Sequence, residues 1–231
     1  MNLSRLEALA QRGRRLGRRD VNADISASPW YRITAAADRA ELFIYGVIGS
    51  DWDDGDVTAA AFVKDLRALD VKAIDLHLNS PGGLVFDGVA IYSALKNHPA
   101  TVTSFVDGVA ASAASFVAMA GEEIVVEKPA KMMIHDANGL VLGDADDMRQ
   151  MADLLDELSD TIAGIYADRA GKTVAHWRTA MRAQTWYGAA EAVAAGLADR
   201  VAGDGKHNNK AAPEDRRSQL IRARARAHLK G

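Results

Sequence analysis

Along most of this chain, apolar positions recur at two-residue or at three- and four-residue spacing, and each change of period marks a predicted element. Trp30-Tyr31-Arg32-Ile33 and Glu41-Leu42-Phe43-Ile44-Tyr45 read as two short strands around Ala36-Ala37-Asp38. Ala60, Phe62, Val63, Leu66 and Leu69 give residues 57–69 an apolar helix face, with Asp56 placed to cap it. A strand over 71–78 runs into the turn Asn79-Ser80-Pro81-Gly82-Gly83, and a helix over 85–97 stops at His98-Pro99. The alternating run Thr101-Val102-Thr103-Ser104-Phe105-Val106 predicts a strand that feeds a tight turn and a small-residue helical segment from Gly108 to Gly121. Two more strands fall at 123–127 and 132–135. Strand and helix in alternation predict an α/β domain with a mainly parallel sheet, whose chemistry belongs at the carboxyl ends of its strands.

Beyond Asn138-Gly139, Asp144 is a good N-cap, Asp146 and Asp147 suit a helix's first turn, and Gly171 suits its end. A helix of about 26 residues would be roughly 39 Å long, more than a domain of this size needs. Met148, Met151, Leu155, Leu158, Ile162 and Ile165 form a near-heptad stripe. It fits an element lying across its own sheet, and fits better one that projects toward a second subunit. A helix over 174–183, a short strand at 185–187 and a helix over 189–195 closed by Gly196 complete the pattern.

Composition narrows the classes. With 231 residues, 48% hydrophobic content and net charge −3, the chain can bury one sizeable core and has no overall drive toward nucleic acid or anionic membrane. No segment is apolar for long enough to span a bilayer. The absence of cysteine removes disulfides, thiol nucleophiles and thiolate metal sites, and fits a reducing cytoplasm. Basic residues crowd both ends. We read residues 1–27 as a basic arm, 28–203 as the globular domain and 204–231 as a basic tail. The acidic stretch Asp51–Asp56 lacks the order of a calcium loop and reads as a solvated loop, and no cofactor is expected.

The junction at Ser112 is where the chain's chemistry concentrates. Ala110-Ala111-Ser112-Ala113-Ala114 puts a hydroxyl between a strand and a helix start, whose free N–H groups could stabilise an oxyanion. By itself such a run suits close packing of a helix under a sheet better than chemistry. Serine becomes a nucleophile at neutral pH only beside a base, and of the six histidines His135 is best placed. It ends an apolar strand and precedes an irregular loop.

Asn79-Ser80-Pro81-Gly82-Gly83, Gly108-x-Ala-Ala-Ser112, Met133-Ile134-His135 and Glu191-Ala192-Val193-x-x-Gly196-Leu197-x-Asp199 resemble, in order and spacing, the motifs of Clp-type serine peptidases. The likeness spans roughly 41–201. The acidic loop after Ile48-Gly49 and the Thr185-Trp186 pair are similar to the branch found in phages, whose members act as head maturation proteases. The resemblance implies a ClpP/crotonase-like spiral of βαβ units with a projecting handle helix, assembled into rings, typically two stacked heptamers. It implies Ser112 as nucleophile, His135 as general base, and N–H groups of Gly82 or Gly83 and of Ala113 as the oxyanion hole. Protein or peptide substrates, including capsid or scaffold protein, would lie extended beside the glycine turn. No P-loop is present, so any ATP-driven unfolding would come from an AAA+ partner.

One position departs from the pattern. Where the family carries its triad aspartate, this chain has Gln184, which could orient an imidazole but not stabilise imidazolium. Asp136 is a poor substitute because strand neighbours face opposite ways, and Asp199 suits a structural role. Two rival readings follow: a catalytically weak ring or scaffold subunit, for which Gln184 speaks, and acyl-CoA chemistry on the same architecture, against which the serine–histidine pair speaks.

Overall fold

The computed structural model describes residues 30–36, 38–49 and 59–204. The basic arm, the basic tail, the acidic loop and the expected Asp56 cap lie outside the described residues.

Eight strands and six helices follow one another in the described chain. They are β1 (Tyr31–Ala36), β2 (Arg39–Ile48), α1 (Ala59–Arg67), β3 (Ala73–Gly83), α2 (Val85–Lys96), β4 (Thr101–Ala111), α3 (Ala113–Ala118), β5 (Glu123–Val126), β6 (Lys131–Ile134), α4 (Ala145–Ala170), α5 (Val174–Arg182), β7 (Thr185–Gly188), α6 (Ala189–Ala195) and β8 (Arg200–Val201). The sheet runs β1-β2-β3-β4-β5-β8, with β6 branching from β4 and carrying β7. Pairing from β2 through β8 along that path is parallel; β1 joins β2 and β7 joins β6 antiparallel. This is the α/β architecture expected from the alternating pattern.

The fork in β4 places the site. Its first half pairs with β5 and its last residues, Val109–Ala111, pair with β6. Two strands that each lead toward the site therefore end side by side, one at Ser112 and the other at His135. β3 and β4 both run further than periodicity suggests. Asn79–Gly83 remains paired to β2, past a register shift, and β4 continues as strand to Ala111. Glycine and small residues broke the alternating pattern in the sequence, but backbone pairing needs no side-chain periodicity.

The core is layered around α3. All six of its residues are buried, and its apolar side chains share one core cluster with Leu76, Leu78, Val106, Ala110, Met132 and Ile134 of the sheet. At about 25 cal/mol per Å² of apolar surface, this burial outweighs the low intrinsic stability of so short a helix. The opposite edge is closed by Trp30, Tyr31 and Phe62, whose rings lie 5.0–5.8 Å apart.

Helix α4 matches its expected start and stop. Asp144 accepts from the Asp146 and Asp147 N–H groups, Asp147 returns a bond to the Asp144 N–H, and Gly171 ends the helix at φ 71°. Its apolar stripe is divided in use. Ser159, Ile162, Ala163 and Tyr166 are buried, while no residue of 145–158 is, and Met148 and Leu154 are exposed. The first half of α4 thus buries none of its side chains on the single chain, although Met151 and Leu155 lie beside Gly139.

Candidate active site

Ser112 occupies the single residue between β4 and α3, at φ 51° and ψ −125°. A positive φ is costly for a non-glycine residue, and the surrounding structure holds it there. Its N–H donates to the Met133 carbonyl at 2.9 Å, which ties the turn to β6. Ser115 Oγ donates to the Ser112 carbonyl at 2.5 Å and is itself 2.7 Å from Tyr166 Oη of α4. The side chain is left to point at His135: Nε2 lies 2.6 Å from Ser112 Oγ.

Burial holds the His135 imidazole below the ordinary histidine range, partly opposed by the charge of Asp136. A neutral imidazole at neutral pH can accept the hydroxyl proton. Among the described residues no carboxylate bonds His135 Nδ1. Asp136 instead faces Arg178 and Arg182 of α5, at 3.3 and 3.7 Å. Asp199 accepts from the Ile124 N–H at 2.7 Å and pairs with Arg169, so it secures β5 to α4. Gln184 sits at φ 49° just before β7, is exposed, and makes no hydrogen bond to His135; its N–H donates to the Met181 carbonyl at 2.9 Å.

Gly82 lies against this turn and Gly83 against β2, each where a side chain would collide. A Cβ on Gly82 would fall 2.6 Å from Ser112 Cβ and 2.8 Å from the Ala113 nitrogen, and φ is +98°. A Cβ on Gly83 would fall 1.9 Å from the Ile48 carbonyl oxygen. Ala113, as the first residue of α3, has an N–H without an intrahelical acceptor. Gly82 N–H donates to Ser80 Oγ at 3.1 Å, and Ser80 donates to the Gly46 carbonyl at 2.6 Å. Ser80 was read from sequence only as part of the glycine turn; fully buried, it shapes that turn.

Ser112, His135, Gly82 and Ala113 therefore meet, whereas Gln184 stands apart from the imidazole. Ser115, Tyr166 and Arg178 carry contacts to the site that sequence reasoning did not assign. Ser115 lies one helical turn from Ser112, a spacing that could have suggested it. Among the described residues no cluster suited to a metal ion is present, and no helix is long and apolar enough to cross a membrane.

The chain belongs to the Clp protease family, whose model matches residues 30–205. It is similar to the ATP-dependent Clp protease proteolytic subunit of Chlorella vulgaris, 31% identical over 137 residues, covering 58% of this chain and 68% of that one. The same-named subunit of Lobularia maritima is 34% identical over 136 residues, covering 58% of this chain and 69% of its own.

Proposed function

We propose that this protein is a serine endopeptidase that works through an acyl-enzyme on Ser112. The 2.6 Å contact between Ser112 Oγ and His135 Nε2, on a turn held at positive φ, is the observation that carries this reading. Ser112 Oγ attacks the scissile carbonyl carbon while its proton passes to His135 Nε2. The C–N bond breaks as that proton moves to the leaving amine, and water activated by the same nitrogen then releases the acyl group. The oxyanion is held by Ala113 N–H with that of Gly82 or Gly83; use of Gly82 requires its bond to Ser80 to be shared or released. Such donors contribute about 10²–10³ in rate, enough for slow processing of a few defined bonds by a dyad.

The wider role is head maturation in a phage, in the host cytoplasm or inside a procapsid, with capsid or scaffold protein as substrate. The phage-like features of the sequence support it, and unchanged head-protein lengths in a Ser112→Ala phage would refute it. Ring assembly is supported by residues 145–158 of α4, none of them buried on the single chain, and by Leu140 and Leu142, 93% and 90% exposed. Native mass spectrometry reads the ring size, and a monomer would overturn the assembly. An AAA+ unfoldase partner would show itself as ATP-dependent degradation of a folded substrate.

Intact-mass analysis after fluorophosphonate treatment tests the chemistry. One adduct is expected on the wild type and none on Ser112→Ala or His135→Ala. A second reading, a ring or scaffold subunit with little activity, is favoured by the lack of a carboxylate behind His135. Absence of an adduct on folded, assembled protein would establish it.

A further inference from the structure

His135 is the first residue past the paired end of β6, and residues 135–142 form neither helix nor strand. The segment that carries the imidazole is therefore held from outside. Ala137 N–H donates to Ser159 Oγ of α4 at 3.0 Å. Asp136 meets Arg178, with Nε 3.3 Å from Oδ1 and Nη2 3.3 Å from Oδ2.

Arg178 is in turn fastened to α4. Nη1 donates to the Asp160 carboxylate at 2.5 Å and to the Asp156 carbonyl at 2.9 Å; Nη2 donates to the Asp156 carboxylate at 2.7 Å. Its side chain is only 6% exposed, against 73% and 64% for those of Asp156 and Asp160. Asp156 and Asp160 alone would suffice to pin α5 to α4. The contact to Asp136 extends that hold to the residue after His135. It is an ion pair with one hydrogen bond, from Arg178 Nη2 to Asp136 Oδ2; the facing Arg178 Nε and Asp136 Oδ1 are buried and meet through charge alone.

We propose that Arg178 is a positioning residue for His135: it locks Asp136 onto α4, so the imidazole keeps its place against Ser112 without a carboxylate at Nδ1. This rests on the Ser112–His135 reading above. The charges around the histidine give the proposal its signature. Asp136 is the group acting on the imidazole directly; Arg178 and Arg182 oppose it from α5, and Asp156 and Asp160 lie behind Arg178 on α4. Removing the Arg178 charge leaves Asp136 less opposed, which favours imidazolium and moves the His135 titration to higher pH.

The test uses the full chain and two readouts: the His135 imidazole titration followed by NMR, and the fluorophosphonate labelling rate against pH. Arg178→Gln is expected to move the titration to higher pH and to lower the high-pH labelling plateau about 10–100-fold, as small misplacements of a catalytic group do. Arg178→Lys, which keeps charge but not the fork, should restore the titration without restoring the plateau. Asp156→Asn with Asp160→Asn alters largely exposed carboxylates, leaves amide oxygens that can accept from Arg178, and, with folding checked by circular dichroism, should slow labelling about tenfold. An unmoved titration in Arg178→Gln, or a wild-type plateau in the double variant, would overturn the proposal. If Arg178→Gln does not fold, the double variant decides. If the wild type takes no label at all, the peptidase reading fails, and the NMR titration alone decides whether Arg178 acts on His135.

Discussion

Tyr166 Oη of α4 lies 2.7 Å from Ser115 Oγ, and this contact fixes the direction of a short hydrogen-bond chain that ends on the Ser112 turn. The Ser115 hydroxyl has one proton and gives it to the Ser112 carbonyl at 2.5 Å, so Tyr166 must be the donor to Ser115. Burial pushes the Tyr166 phenol well above its ordinary range, with the Ser115 contact opposing, and it keeps the proton it donates. Ser115→Ala strands a buried phenol and should cost about 1–3 kcal/mol in urea unfolding. Tyr166→Phe leaves Ser115 bonded to Ser112 and should cost about 1 kcal/mol. Costs that add fully in the double variant would mean that the two hydroxyls are not coupled.

The labelling rate of Ser112 should rise with pH and reach its plateau early. Burial holds His135 below the ordinary histidine value of about 6.5, so the neutral base persists into mildly acid solution. We expect the midpoint of rate against pH below that value. A midpoint above it would mean that Asp136, and not burial, dominates the imidazole.

Gly82→Ala should abolish labelling while leaving most of the sheet intact. The new Cβ would meet Ser112 Cβ at 2.6 Å and the Ala111 carbonyl oxygen at 2.7 Å, at a φ of +98° that disfavours alanine. The turn must move, and we expect at least about 100-fold slower labelling. Wild-type rates would show that the turn does not position the nucleophile.

Among the described residues, the histidine that holds a carboxylate is His77. Its Nδ1 is 2.9 Å from Asp107 Oδ2, and the Phe43 and Phe105 rings stack on its two faces at 4.8 and 4.9 Å. The bond from Asp107 raises its pKa, with burial opposing. A raised folded value stabilises the protein below the unfolded value and loses that contribution as pH rises through the folded one. Asp107→Asn should therefore destabilise more at about pH 5.5 than at about pH 9, read by urea unfolding at each pH. A gap independent of pH would mean that His77 stays neutral throughout. Loss of the Tyr45 bond to Asp107, 2.6 Å in the wild type, lowers stability equally at both.

Most elements were legible because they depend on near neighbours. The α4 caps, Asp144 and Gly171, are local backbone chemistry, and the 26-residue length follows from where they stand. Strand ends were less legible, since Asn79–Gly83 and Val109–Ala111 pair through their backbones while their residue types show no apolar–polar alternation.

Of the site, the sequence by itself determined which residues could react: a serine at a strand-to-helix junction, a histidine at a strand end, and a glycine turn at the end of another strand. Local conformation and residue chemistry suffice for that much. Only the tertiary structure decided their relations. The fork of β4 brings Ser112 to His135 across 23 residues of chain. It leaves Gln184 off the imidazole and turns Asp136 toward Arg178, 42 residues away. No spacing rule encodes such contacts, because they arise where α4, α5 and two strand ends converge, and a buried guanidinium draws to itself whichever carboxylates the packing puts within reach.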